Sequence, residues 1–128
     1  MDIVDRLADK LEQELNLFTT ISIDVLKSDD NAITIRHVPS SPNNMFMDKT
    51  YDIELVFQTL VKHIEQQTTI QAIEAIQSHI EKLNALPSND SSYEFIKAEQ
   101  YVTPTLLEID ERNCYIYTAM FKVNIHVN

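Results

Sequence analysis

The chain has 128 residues, of which 44% are hydrophobic and 23% are charged, and its net charge is −10. This length suits one domain with a substantial core, so we expect residues 1–128 to fold as a single domain. The acidic balance disfavours ordinary binding to nucleic-acid phosphates. The chain contains no glycine, which excludes the P-loop, the dinucleotide-binding fingerprint and the G-x-S-x-G nucleophile elbow.

Without glycine, turn positions that need a positive φ must fall to asparagine or aspartate. Four asparagines stand at expected turns: Asn31, Asn44, Asn84 and Asn113. No apolar run approaches the ~18 residues that span a bilayer, and the mixed-charge N-terminus does not resemble a secretory signal, so no membrane association is expected. A single cysteine excludes an internal disulfide and suits a reducing cytoplasm.

The first half of the chain predicts one helix and three strands. Apolar residues at helical spacing predict a helix over residues 2–15. Residues 20–26 and residues 32–38 both alternate apolar and polar side chains, and we expect them to pair as a β-hairpin with a longer loop. The same alternation predicts a longer strand over residues 50–60.

A second helix is predicted over residues 69–84, where isoleucines recur at helical spacing. Thr68 and Gln71 fit a capping box at the start of this helix. Asn84 and Pro87 are the expected stop signals at its end.

The rest of the chain predicts strands. Residues 93–102 read as a strand that Pro104 separates from the following TLLEID segment. After a turn over DERN, residues 114–127 alternate without a break, with one apolar face and one polar face. The order of helices and strands predicts an α+β fold, mainly an antiparallel sheet with two helices packed on one face.

Groups that could carry out catalysis do not converge in the sequence. Cys114 is the one possible thiol nucleophile, and no feature pairs it with a histidine or lowers its pKa. The histidines do not occur at metal-ligand spacing: they are His37, His63, His79 and His126. We therefore expect no enzymatic activity and no cofactor.

Two further groups of residues, the carboxylates near the final turn and the aromatics of residues 93–101, could each have a functional or a purely structural role. Carboxylates at the final hairpin could act as acid and base, but they are more typical of a solvated turn that discourages aggregation; they are Glu108, Asp110 and Glu111. Tyr93, Phe95 and Tyr101 could stack on nucleic-acid bases. Because no basic residues surround these three aromatics, we expect them in the core.

The order of these segments resembles a phage minor capsid family, the tail terminator or tail completion proteins of long-tailed phages. RHVPSSP followed by MFMDK carries the resemblance, together with the alternating YDIELVFQTLVKH before the helix. The Thr-Pro spacer, the acidic turn and the Tyr-Ile-Tyr-Thr strand complete it, so nearly the whole chain is covered. Such proteins often have glycine at two turns, where this chain has Lys49 and Asn113.

The resemblance implies a structural role. Proteins of this family form rings, commonly of six copies, that cap the tail tube protein, stop its polymerisation and present a surface to the head-tail connector protein. DNA passes through such a ring without specific binding, and the family brings no catalytic residues. The resemblance also implies synthesis in the bacterial host cytoplasm and a location in the virion tail.

A ring of identical copies needs one patch that meets a different patch on its neighbour. We expect such contacts, between subunits or with the tube, at an apolar loop stiffened by two prolines and at the polar face of the last strand. The candidate interface residues are Pro39, Pro42, Met45, Phe46, Met47, Met120 and Lys122. The alternative for the loop is that Phe46 folds back over the edge of the sheet.

An acidic binding module is the alternative function, for example an inhibitor of a host protein that imitates the charge of DNA. Such a mimic should concentrate its acidic residues on one face at phosphate-like spacing. Here the acidic residues are scattered over predicted helices, strands and turns, which favours the structural role.

Overall fold

A computed structural model describes residues 3–26, 30–38, 51–83 and 93–127. These residues form two helices and five strands: α1 Ile3–Glu14, β1 Ile21–Ile23, β2 Ala32–Val38, β3 Tyr51–His63, α2 Gln66–Glu81, β4 Tyr93–Ile109 and β5 Tyr115–Val127. Neither helix is long and apolar enough to cross a membrane.

The five strands form one sheet in the order β1-β2-β3-β5-β4. β3 and β5 lie at its centre and pair antiparallel along their whole length, from Tyr51 opposite Val127 to His63 opposite Tyr115. β2 and β4 flank this pair, also antiparallel. The prediction of an α+β fold with a mainly antiparallel sheet is therefore confirmed.

Both helices cover one face of this sheet, here called the helix face. α1 packs over β1 and β2, and α2 packs over β3, β5 and β4. The central core consists of buried apolar side chains from both helices and three strands: Leu7, Leu11, Ile33, Ile35, Phe57, Val61, Ile73, Ile76, Ile80, Phe121, Val123 and Ile125. Their spacing of two in the strands and of three or four in the helices is what the sequence pattern predicts.

β1 and β2 do not form the predicted hairpin. They pair in parallel over three residues, from Ile21 opposite Ile33 to Ile23 opposite Ile35. The chain turns away directly after β1 at Asp24, whose φ is +69°. A side-chain bond of 2.8 Å between Ser22 and Thr34 holds the two strands together on the opposite face.

β4 continues through Pro104, where the sequence predicts a break. It runs without interruption from Tyr93 to Ile109 at the outer edge of the sheet. A strand at an edge pairs on one side only, so the missing N–H of a proline can face away from the sheet. For this reason Pro104 is compatible with a continuous β4.

α2 begins before the predicted capping box. Its N-cap residue is Glu65, which makes no side-chain capping bond. The prediction that Thr68 and Gln71 form a capping box at the start of this helix is therefore wrong. The hydroxyl of Thr69 instead donates to the carbonyl of Glu65 at 3.0 Å, inside the first turn. The helix ends at Glu81, earlier than predicted.

The turn between β4 and β5 shows how the chain replaces glycine. Asn113 has a φ of +64°, as predicted for an asparagine at this turn. Asp110 accepts hydrogen bonds at 2.9 Å from the backbone N–H groups of Arg112 and Cys114. Asn31 lies in the expected bend before β2 but without a positive φ, which Asp24 adopts instead. Asn44 and Asn84 lie outside the described residues.

Antiparallel pairing gives the sheet two distinct ends. The end of β3 at His63 lies beside the start of β5 and the end of β4 at Ile109, and we call it the His63 end. The start of β3 at Tyr51 lies beside the end of β5 and the start of β4 at Tyr93, and we call it the Tyr51 end. By the usual rise of a strand, the two ends of β3 are about 40 Å apart.

Candidate assembly surface

The outer edge of the sheet carries a row of exposed apolar side chains on β4. Each of these side chains is between 37% and 56% exposed: Ile96, Tyr101, Val102, Leu106, Leu107 and Ile109. We call this set the β4 edge. Large exposed apolar patches are uncommon on monomeric proteins and mark sites of protein contact, so these exposed side chains make β4 the candidate contact strand.

The local sequence explains why the β4 edge points outward. The pairing of β4 with β5 shifts register at four places, between Phe95 and Lys97 and three times more before Ile109. Each shift changes which face the following side chains point to and increases the local twist. The strand therefore does not keep one apolar face against the core, and apolar residues such as Leu106 and Leu107 remain exposed.

The opposite edge of the sheet is closed. β1 has only three residues, and the outward N–H of Ile21 donates to the carboxylate of Glu12 on α1 at 2.7 Å. The carbonyl of Ile23 accepts the N–H of Val25 at 2.8 Å. These bonds satisfy polar groups that an open edge would offer to another strand.

The face opposite the helices, here called the second face, carries two of the predicted interface residues. Met120 and Lys122 are both half-buried on β5. The ammonium of Lys122 lies 3.4 Å from the carboxylate of Glu54 on β3 and 4.2 Å above the ring of Tyr101 on β4. Lys122 thus links three strands within the chain.

A second polar row crosses the same face. Arg36 on β2 donates to the side-chain oxygen of Gln58 on β3 at 2.7 Å. The amide nitrogen of Gln58 donates in turn to the hydroxyl of Thr118 on β5 at 2.8 Å. The middle of the second face is therefore occupied by side-chain bonds between strands.

A groove lies on the helix side at the His63 end, between the segment that follows α1 and the first half of α2. It encloses about 350 Å³, and its lining is mainly apolar: Leu15, Asn16, Leu17, Phe18, Thr68, Gln71, Ala72 and Ala75. The ring of Phe18 contacts the ring of His63 edge-to-face, with 4.9 Å between their centroids. This contact fixes the position of the groove relative to β3.

The predicted loop residues lie outside the described residues: Pro39, Pro42, Met45, Phe46 and Met47. The expectation that the aromatics of β4 lie in the core is correct for Tyr93 and Phe95. It is wrong for Tyr101, which is exposed on the β4 edge. The sequence signal for this edge was Leu106-Leu107, two adjacent apolar residues in a strand, close to a proline.

The reactive groups of the described residues form no reaction centre. Cys114 is fully buried, and burial first, then the nearby charges of Asp110 and Asp30, raises the pKa of its thiol. The N–H group of Cys114, which donates to Asp110, is the main reason why the pKa of that carboxylate is lowered. Within the described part of the chain, no group of three or more potential ligands could hold a metal ion.

Four acidic residues of the described part lie within 4 Å of a basic side chain: Asp9, Glu14, Asp30 and Glu54. The ion pairs are Arg6 with Asp9, Lys10 with Glu14, His79 with Glu14, Arg112 with Asp30 and Lys122 with Glu54. They are spread over both helices, the sheet and the final hairpin. Such a distribution differs from the single acidic face that a DNA mimic requires.

Comparison with known proteins gives the family. No curated protein matches the sequence. The family model described as "Bacteriophage tail terminator protein" matches residues 5–127, which include most of α1, all of α2 and all five strands. This family is one of phage tail structural proteins. The chain belongs to the bacteriophage tail terminator family.

Proposed function

We propose that this protein forms a ring, most simply a hexamer, that caps the phage tail tube. The ring ends polymerisation of the tube protein and offers a joining surface to the head-tail connector protein. Assembly takes place in the cytoplasm of the bacterial host, and the protein stays in the virion tail. Membership of the tail terminator family, combined with the exposed β4 edge, is the observation that supports this proposal.

The unequal edges of the sheet support a contact that is directional. A ring requires a heterologous interface, in which one patch meets a different patch on the next copy. The β4 edge is long and apolar, whereas the β1 edge is short and satisfied by Glu12. The two edges of the described sheet therefore differ, as the two sides of a heterologous contact must.

The overall charge supports passage of DNA through the ring. With a net charge of −10 per copy, a hexamer repels phosphates and does not retain the duplex. The interleaved ion pairs favour this general repulsion over specific imitation of DNA.

The experiment that tests the function is removal of the protein from its phage. Without it we expect tails of irregular, extended length that lack heads, as seen by negative-stain electron microscopy. Supplying the wild-type chain should restore uniform tails, and light scattering on tail-bound material should give the number of copies. Tails of normal length joined to heads in the absence of the protein would refute the proposal.

A further inference from the structure

We propose that the groove beside Phe18 receives the Met45–Met47 segment of a second copy of this chain. The inference deepens the proposed function, since it names the two patches that meet in the ring. It rests on three observations: the chemistry of the groove, the reach of the segment and the charge of the chain.

The groove is suited to an apolar side chain. Leu15, Leu17 and Phe18 are half-buried, so each keeps apolar surface that the fold does not cover. Asn16 and Gln71 are exposed and supply uncharged polar groups around this surface. Burial of apolar surface here is favourable, and no charged group of the lining has to be desolvated.

The segment of the same copy cannot reach this part of the groove. Met45, the member of the segment farthest from Tyr51, precedes it by six residues, so an extended chain places the segment at most about 21 Å from Tyr51. The groove lies at the other end of β3, where Phe18 contacts His63, about 40 Å from Tyr51 by the rise of a strand. The remaining gap of about 20 Å means that an occupant of the Phe18 end of the groove with this sequence comes from another copy.

Charge also favours contact at these two patches. Copies that each carry a net charge of −10 repel one another over most of their surfaces. The lining of the groove contains no Asp, Glu, Lys or Arg, and neither does the Asn43–Met47 sequence. These patches can therefore approach without bringing like charges together.

The geometry of the contact is the one that a ring requires. The segment joins the sheet at the Tyr51 end, and the groove lies at the His63 end. One copy therefore presents the segment to its neighbour on one side and the groove to its neighbour on the other side. This head-to-tail arrangement closes into a ring when the rotation between copies allows it.

A cysteine-pair experiment tests the contact directly in the full chain. In a Cys114→Ser background, one chain carries Phe46→Cys and a differently tagged chain carries Thr68→Cys, in the groove. The two are mixed at high concentration and oxidised, and the disulfides are identified by mass spectrometry. The matched control for the second chain is Glu74→Cys, which is exposed on α2 but does not line the groove.

We expect the disulfide between positions 46 and 68 to exceed the one between 46 and 74 several-fold and to join different chains. A second measurement needs no cysteine: Ala75→Glu, an exposed groove residue, should reduce self-association in sedimentation velocity with an unchanged melting temperature. The inference would be overturned if the disulfide yields at positions 68 and 74 were equal, or if the disulfide joined two positions of the same chain. It would also be overturned if a Leu107→Cys chain formed more disulfide with position 68 than the Phe46→Cys chain does.

The outcomes separate this inference from the proposed function. Rings or terminated tails that form normally with Ala75→Glu and give no 46–68 disulfide would overturn the groove contact alone. Tails of normal length without the protein would refute the proposed function, whichever disulfides form in solution. If neither oligomers nor the 46–68 disulfide formed at the highest protein concentration, that result would also count against the groove contact.

Discussion

The side-chain amide of Gln77 on α2 donates a hydrogen bond to the backbone carbonyl of Met120 on β5 at 3.1 Å. Gln77 is almost completely buried, and its oxygen accepts a bond from the hydroxyl of Thr59 on β3 at 3.4 Å. Met120 lies opposite Val102, where the pairing of β4 with β5 shifts register. A helix side chain thus supplies a donor at a place where the ladder between strands is irregular.

Replacing Gln77 by alanine should destabilise the fold without changing its architecture. The substitution leaves the carbonyl of Met120 and the hydroxyl of Thr59 without these partners, which costs about 1–3 kcal/mol. Urea denaturation monitored by circular dichroism measures the loss. Gln71→Ala, an exposed change on the same helix, is the control, and an equal effect of both variants would contradict the role of the buried amide.

Asn113→Val should destabilise the final hairpin by about 1–2 kcal/mol, because a β-branched residue tolerates a positive φ poorly. Asn113 has a φ of +64°. Asn113→Gly should retain or slightly raise the free energy of unfolding, since glycine adopts this conformation without a steric penalty. Thermal unfolding of the two variants is the measurement, and similar losses for both would show that the amide side chain is what matters.

The contact between Glu14 and His79 should make the stability depend on pH in the acidic range. Their side chains lie 2.7 Å apart and join α1 to α2. This bond first, and then Lys10, lowers the pKa of Glu14 below its usual value of 4.5. A carboxylate with a lowered pKa stabilises the fold above its unfolded-state pKa, and this stabilisation is lost as the pH falls through the lowered value.

The wild type should therefore be more stable than Glu14→Gln at pH 6, and the difference should shrink as the pH falls below about 4.5. Urea denaturation at a series of pH values gives this difference directly. Glu81→Gln, an exposed change on α2, should show no such trend. A difference between wild type and Glu14→Gln that stays constant down to pH 3 would contradict the argument.

Lys122→Gln should lower the free energy of unfolding by less than about 1 kcal/mol, because the partly exposed pair with Glu54 is screened by water. A double-mutant cycle with Glu54→Gln measures the coupling between the two side chains. High salt should weaken this coupling. If Lys122→Gln abolished assembly while changing stability this little, Lys122 would be a contact residue as well as a link between strands.

Leu107→Lys on the β4 edge should impair assembly and leave the fold intact. Leu107 is exposed, so the free energy of unfolding should change by no more than about 0.5 kcal/mol. A charge placed in an apolar contact costs far more, and complementation of tails should fail. Val25→Lys is the matched control, since Val25 is an exposed apolar residue away from β4, and failure of both variants would count against a specific role of the β4 edge.

The centre of the fold could be predicted from the sequence. β3 and β5 alternate over long stretches, so Phe57, Phe121 and Ile125 were expected on one face, and they lie in the core. The spacing of isoleucines in α2 likewise identified its buried stripe. Long periodic segments fix secondary structure because burial of one face dominates their energetics.

The pairing of β1 with β2 could not be predicted in the same way. Alternation in Ile21–Ile23 and in Ile33–Ile35 shows which side chains face the core, but not whether the strands run parallel. The direction depends on the connection, where Asp24 adopts a positive φ that the sequence alone did not reveal.

The candidate surface was only partly predictable. Met120 and Lys122 were expected at a contact, and Lys122 is already engaged by Glu54 and Tyr101. The β4 edge was missed because Pro104 suggested two short strands, and because Tyr101 was assigned to the core. Each register shift changes which side chains are exposed, so the alternation of residues in the sequence no longer predicts the face of a side chain after the shift.

The short β1 edge, whose Ile21 N–H is taken by Glu12, limits how copies of this protein can join. A sheet with two unprotected edge strands can pair with further strands on both sides, and repeated pairing of this kind produces fibrils. Here Glu12 of α1 already accepts the N–H of Ile21 on the three-residue β1, so this edge offers an added strand less than the long β4 edge does. The function proposed above is to end a polymer, and a protein with that function must not itself polymerise through its strands; the difference between the two edges would serve this requirement within a single chain.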